Sequence, residues 1–174
     1  MIAANGGKID GKTTIQKLTY FSKLKVPLKE DPVFRPHYYG PYSANVDFEL
    51  DKLVALGFLE QSSRPTINQR IMYSYKLTRS GKSILSGLVG RYPEQFDTIS
   101  SIVATCRKYS GLNPTSLSYA AKVHYVSKSA IQPMSSNEVA EEARDNGWEI
   151  DERGIQRGLR ILSGLKLVKQ PISA

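Results

Sequence analysis

The chain has 174 residues, enough for one large or two small compact domains, and its 40% hydrophobic content with mixed charge excludes a disordered polymer. A formal charge of +8 and a pI near 9.5 describe a surface that attracts polyanions, nucleic acid foremost. The single cysteine, Cys106, excludes an internal disulfide framework and reads as a small buried apolar residue. No stretch of about 18 apolar residues offers a membrane span. Met1-Ile-Ala-Ala4 is too short for a secretory signal, so the expected location is cytoplasmic with no membrane partner. The charge is uneven: residues 1–90 carry 13 Lys and Arg against 7 Asp and Glu, and residues 91–174 carry 11 against 9.

In chain order, Gly11 with Thr13 or Thr14 leads into a helix to Lys25, with Ile15, Leu18 and Phe21 on its inner face. Val33–Tyr39 is β-prone but broken by Pro36, which suits an edge strand or an extended segment. Gly40-Pro41 turns into a second helix with Ser43 as N-cap. Val46, Leu50 and Leu53, with Leu56 close by, predict one buried stripe on it, and Gly57 ends it. Phe58 and Leu59 begin an extended run, residues 62–70 form a polar gap, and Ile71–Leu77 reads as a strand. Thr78–Lys82 breaks that strand and leads into a helix over Ser83–Leu88.

The second half reads as helical. One helix starts at Pro93 or Glu94 and runs through Phe96, Ile99, Ile102, Val103 and Cys106 towards Tyr109-Ser-Gly111. Asn113-Pro114 caps another, carried by Leu117, Ala120, Ala121 and Val123 towards Val126. Ser135 and Glu138 have capping-box spacing and open a short helix with Val139 and Ala143 inside, closed by Asp145-Asn-Gly147. Asp151 caps a last helix with Ile155, Leu159 and Leu162 at i, i+4 and i+7, and Gly164–Lys169 reads as the start of a strand.

The order helix, strand, loop, strand, helix is that of a winged helix, and Tyr75-Lys-Leu-Thr-Arg-Ser-Gly81 resembles the exit of many winged-helix regulators. Three ordered motifs make the likeness more specific: Gly11-Lys-Thr-Thr-Ile-Gln-Lys-Leu-Thr-Tyr-Phe21, His37-Tyr-Tyr-Gly-Pro-Tyr-Ser43 and Leu53-Val-Ala-Leu-Gly-Phe-Leu59. Over about residues 8–85 they resemble the YwgA-like family of prokaryotic winged-helix proteins. The resemblance implies a fold and a regulatory or DNA-associated role, and no reaction. Residues 136–168 resemble a second helix-turn-helix. The expected architecture is therefore mainly α with a small β component (α+β), as tandem winged-helix or helix-turn-helix modules at residues 1–90 and 91–174.

In a helix-turn-helix the second helix offers its outer face to the major groove, where Arg and Gln can reach base edges. On the last helix Arg153, Gln156, Arg157 and Arg160 lie away from the apolar stripe, and duplex DNA is the partner expected there. Gly154 and Gly158 share a side and permit close approach of another backbone. The helix after Ser43 instead shows Asn45, Asp47, Glu49, Asp51 and Lys52, which repels phosphate. Loop residues Arg64, Asn68, Gln69 and Arg70 at the wing, and Lys12, Lys17 and Lys23 on the first helix, are the expected phosphate contacts of that half. The Asp47, Glu49, Asp51 face motivates an alternative, a protein-interaction adaptor of antitoxin-like or complex-assembly type. A homodimer through Glu94–Lys108 is a further expectation.

Gly6-Gly-Lys-Ile-Asp-Gly-Lys-Thr13 satisfies the string of a phosphate loop, but too little chain precedes it for the buried strand that chemistry needs. His37 and His124 are isolated histidines, so no metal site is expected. His37 sits in an aromatic run that reads as packing. No nucleophile–base pairing is legible, and neither an enzyme nor a cofactor is expected.

Overall fold

The computed structural model describes residues 1–27, 31–66 and 69–168. They divide into two compact units, Met1–Val33 with Ser43–Ala104, and Phe34–Tyr42 with Thr105 onward. The division falls within a long helix rather than at residue 90, and residues 34–42 group with the second unit. Among the described residues the chain is mainly α with one small antiparallel sheet.

The first unit opens with a short turn at Ala3–Asn5 and strand β1, Lys8–Asp10, followed by helix α1, Lys12–Lys23. Helix α2 is Ala44–Ala55, strands β2 and β3 are Leu59–Pro65 and Ile71–Leu77, and helix α3 is Arg79–Arg91. The sheet order is β1-β3-β2, with β3 central: Tyr75 stands opposite Ile9 on one side and Gln61 on the other. Ile9 and Tyr75 are buried, and α1 supplies Ile15, Leu18 and Phe21 to the same core. Strand β1 arises in a Gly-rich segment that shows no strand signal; pairing with β3, not local propensity, makes it a strand.

Two motifs acquire a physical meaning. Gln16 brackets the start of α2: its Nε2 donates to the Ser43 carbonyl at 2.9 Å, and the Ser43 amide donates to its Oε1 at 3.1 Å. Ser43 does occupy the N-cap, but its side chain makes no capping bond and is buried. The strand-to-helix exit depends on Thr78 and Gly81. The Thr78 hydroxyl accepts from the Gly81 amide at 3.0 Å, and a Cβ on Gly81 would collide with the Phe58 carbonyl. Helix α3 therefore starts at Arg79, one turn earlier than the apolar pattern predicts.

Three expectations are corrected. Of the two forms expected for Val33–Tyr39, the edge strand does not form; one isolated bridge pairs Arg35 with Tyr42. The polar run after Leu59 is strand β2 rather than a gap as far as Pro65, an edge strand whose outward residues need no apolar character. The stripe on α2 is buried only at Leu50, whereas Leu53 and Leu56 are exposed.

In the second half, helices α4, Pro93–Ser110, α5, Pro114–Ser127, α6, Ser136–Asp145, and α7, Glu152–Gly164, fall where the periodicity places them. The apolar face of α4 is buried at Ile102, Val103 and Cys106. The Cys106 thiol is pushed up to about 12 by burial, an inert structural thiol. After α7 the described chain turns through Leu165 and Lys166, so the strand start expected over Gly164–Lys169 does not form up to Val168. No described helix is long and apolar enough to cross a membrane.

Candidate nucleic-acid interface

Helix α7 is held by its glycines. A Cβ on Gly158 would lie 3.1 Å from the main chain of Ala120, and one on Gly154 would lie 3.0 Å from the Tyr119 ring. At Gly158 the helix thus sits directly against the α5 main chain, at Gly154 it lies against the Tyr119 ring, and Ile155, Ile161 and Leu162 are buried with Leu117, Ala120 and Ala121 in the same unit's core. Asp151 caps α7 by accepting from the Gly154 amide at 2.8 Å. Ahead of it, α6 carries the capping box: Ser135 Oγ accepts from the Glu138 amide, and the Ser135 amide donates to Glu138 Oε2 at 2.7 Å. Those bonds hold the Glu138 carboxyl below its ordinary range.

The connection between the two helices, Asn146–Asp151, is longer than the turn of about 3–4 residues in a simple helix-turn-helix. Gly147, with φ 73°, reverses the chain, and the amide of Trp148 donates back to the Ala143 carbonyl at 2.9 Å. The Trp148 side chain is buried, stacks edge-on against Tyr125 and donates from Nε1 to the His37 carbonyl at 2.7 Å. Lys122 Nζ lies over the Trp148 ring, 5.6 Å from its centroid. Trp148 anchors the connection that leads into α7, yet it escapes the sequence reading. The available signal is the alternation Trp148-Glu-Ile150 after Gly147, with Trp148 and Ile150 buried and Glu149 exposed.

The outer face of α7 carries Arg153, Arg157 and Arg160 at i, i+4 and i+7, all exposed. Among the described residues none of their guanidinium groups has a carboxylate within 4.0 Å. Gln156 is exposed on the same face, but its Nε2 donates to Glu152 Oε1 at 2.8 Å, an acceptor shared with Ser136. Asp151 and Glu152 place negative charge at the helix start, directly ahead of Arg153, and Arg157 and Arg160 follow one and two turns further on.

The first unit treats its candidates differently. Lys17 is only 2% exposed, because α1 is buried on nearly every side, so it is not a phosphate contact. Lys12 ion-pairs with Asp47 at 3.2 Å and Asp51 at 3.3 Å. Partial burial works against its charge, but the hydrogen bond to Asp47 and the nearby carboxylates hold its pKa above the ordinary value. Lys12 thus compensates the acidic side of α2 rather than facing solvent. Lys23 pairs with Asp31 at 2.9 Å. Arg64 lies in strand β2, not in a loop, opposite Met72 and 3.7 Å from Asp10 Oδ2. Gln69, with φ 57°, and Arg70 are exposed in the hairpin connection, where the Thr66 amide donates to the Arg70 carbonyl at 2.7 Å. Asn68 lies outside the described residues. The Gly6–Thr13 segment does not wrap an anion: Lys8–Asp10 are laddered to β3, and Lys12 is engaged by α2.

His124 is buried, and burial followed by the Lys128 charge lowers its pKa to about 4. His37 packs against Tyr42 with ring centroids 4.8 Å apart. Among the described residues no three His, Cys, Asp or Glu side chains converge as metal ligands do.

These features define a mainly α protein with a three-stranded antiparallel sheet and a helix pair that presents arginines. No family model matches the chain. It is similar to an uncharacterized protein named YwgA from Bacillus subtilis (strain 168), 28% identical over 117 residues that span 67% of this chain and 69% of that protein. That likeness supports a YwgA-like relationship, in line with the motifs of the first half.

Proposed function

We propose that the protein is a non-enzymatic, duplex-DNA-binding factor, acting as a transcriptional regulator or DNA-associated accessory protein, and that α7 is its reading helix. The observation that carries this is the row of exposed arginines, Arg153, Arg157 and Arg160, without carboxylate partners among the described residues, on a helix whose opposite face is locked to α5 by Gly154 and Gly158. A rigid helix with free guanidinium groups on one side is what phosphate and guanine contacts require. In this reading the second unit is a helix-turn-helix with a lengthened turn. The first unit is a winged helix in which β2 and β3 form the wing, and Arg64 and Arg70 give subsidiary backbone contacts. No helix stands between α1 and α2 among the described residues 24–27 and 31–43, a departure from the usual three-helix arrangement. The adaptor alternative rests on Asp47, Glu49 and Asp51, and Lys12 already matches part of that charge.

The test is fluorescence anisotropy on random-sequence duplex DNA at two salt concentrations, with wild type beside an Arg153/Arg157/Arg160→Ala triple variant. Each phosphate contact contributes about −0.9 to the slope of log affinity against log salt, so losing three contacts flattens it by up to about 2.7. Arg157→Ala alone weakens binding. Absent or salt-independent binding by wild type refutes the reading, and equal binding by both proteins removes α7 from it.

A further inference from the structure

The arginine row of α7 has a further position, and a glycine occupies it. Gly164 stands at i+11 from Arg153; at about 100° per residue it falls roughly 20° from Arg153, between Arg160 and Arg157 in angle. Its place on that face is filled from another helix. A Cβ on Gly164 would overlap the Tyr109 ring and lie 3.1 Å from Thr105 Cγ2, so the ring rests on the main chain of the last residue of α7. Thr105 and Tyr109 are one turn apart at the end of α4, in the same unit as α7. Tyr109 nevertheless stays 47% exposed, and Lys108 Nζ lies over its ring, 5.4 Å from the centroid.

Charge follows the same path. Helix α7 has no basic residue in its last turn, where the unsatisfied carbonyls of a helix C-terminus present negative potential. Left to itself, that end of the row repels a phosphate. Lys108, in the last turn of α4, supplies the missing positive charge from the side. It is exposed, and among the described residues no carboxylate lies within 4.0 Å of it. An exposed cation–π contact is weak, so the ring orients the ammonium without withholding it from an anion. Resting on the reading of α7 as a DNA-contacting helix, we infer that Lys108 and Tyr109 of α4 complete its surface, as contacts to the sugar-phosphate backbone of the duplex at the C-terminal end of α7. Lys108 brings the charge, the Tyr109 hydroxyl donates to a phosphate oxygen, and Gly164 is the seat through which α4 adds both to the arginine face. A point-charge lysine and a phenol on backbone oxygens carry no base information, so the contribution is independent of sequence.

The experiment is a salt series of fluorescence anisotropy with the full chain on random-sequence duplex DNA. Lys108→Gln is expected to flatten the slope of log affinity against log salt by about 0.9, the signature of one phosphate contact. A salt increase of about fourfold then costs the wild type roughly 3.5-fold more affinity than the variant. Lys108→Arg keeps the charge and is expected to keep the wild-type slope, a rescue that damage to the fold cannot imitate. Gly164→Ala removes no charge, yet its methyl unseats the Tyr109 ring; the slope is expected to flatten in the same direction while circular dichroism stays helical. A Lys108→Gln protein with the wild-type slope, beside an Arg153/Arg157/Arg160→Ala variant that has lost binding, overturns this inference and leaves the reading of α7 standing. So does a Lys108→Arg protein that behaves like Lys108→Gln. A wild type that does not bind duplex DNA, or a triple variant that binds as wild type does, overturns both.

Discussion

Replacing Gly158 with alanine tests the packing on which the arginine face depends. In a helix interior, Gly→Ala ordinarily stabilises by roughly 0.5–1 kcal/mol, because alanine loses less backbone freedom on folding. At Gly158 the new methyl would meet Ala120 Cα, Ala120 N and the Tyr119 carbonyl carbon, each at 3.1 Å. Carbon contacts are comfortable at about 3.5–4.0 Å, so α7 must withdraw from α5 by roughly half an ångström or more. The atoms in the way are main chain inside a helix and cannot rotate aside. Overpacking of this kind costs about 1–3 kcal/mol, which outweighs the alanine gain and leaves a net loss of roughly 1 kcal/mol. Gly87→Ala in α3 is the control, since its methyl meets nothing within 4 Å and keeps the full benefit. The two variants then differ by roughly 2 kcal/mol, about 4–8 °C in Tm for a chain of this size. Thermal melts are followed by far-UV circular dichroism, which reads the helices of both units, with the emission of Trp148, the single tryptophan, marking the unit that contains α7. If Gly158→Ala melts higher than wild type, as Gly87→Ala should, the close helix contact is not limiting and the reasoning fails.

Two further outcomes concern charge. His124, held down to about 4 by burial and Lys128, is neutral in the native state where an unfolded histidine near 6.5 is already protonated. Stability is therefore full above about pH 6.5 and falls as pH drops towards 4, by roughly 2–3 kcal/mol; denaturant melts of His124→Gln against wild type across that window should show a flatter profile, and parallel profiles would refute the assignment. Lys12→Ala should cost less than about 1 kcal/mol, with the loss shrinking at high salt, as for a partly exposed ion pair. The same variant should leave duplex-DNA affinity changed by less than about twofold, because Lys12 faces Asp47 and Asp51 rather than solvent.

Much of the fold is legible because it rests on local rules. Helices α4 to α7 follow from 3.6-residue periodicity and from caps at Asn113, Ser135 and Asp151, each of which bonds an amide of its own first turn. The exposure of Arg153, Arg157 and Arg160 follows from the same periodicity, since the buried stripe of α7 leaves one outward face. The usefulness of Gly154 and Gly158 is legible as spacing, though the partner they admit, α5, is not.

What the tertiary structure decided involves partners remote in sequence. Strand β1 exists because β3 lies beside it, and β2 is polar because it is an edge. Lys12 and Lys17 look alike as lysines on one helix, yet one is ion-paired by α2 and the other is buried, because burial depends on what packs around α1. Ser43 has the right residue type for a cap, but Gln16 takes over its backbone groups from 27 positions away. Leu53 and Leu56 share a stripe with Leu50 and stay exposed, since an amphipathic pattern states that a face seeks cover without naming the cover. Local sequence carries helix type and face; which face meets the core, another helix or a second molecule is settled only by contacts between distant segments.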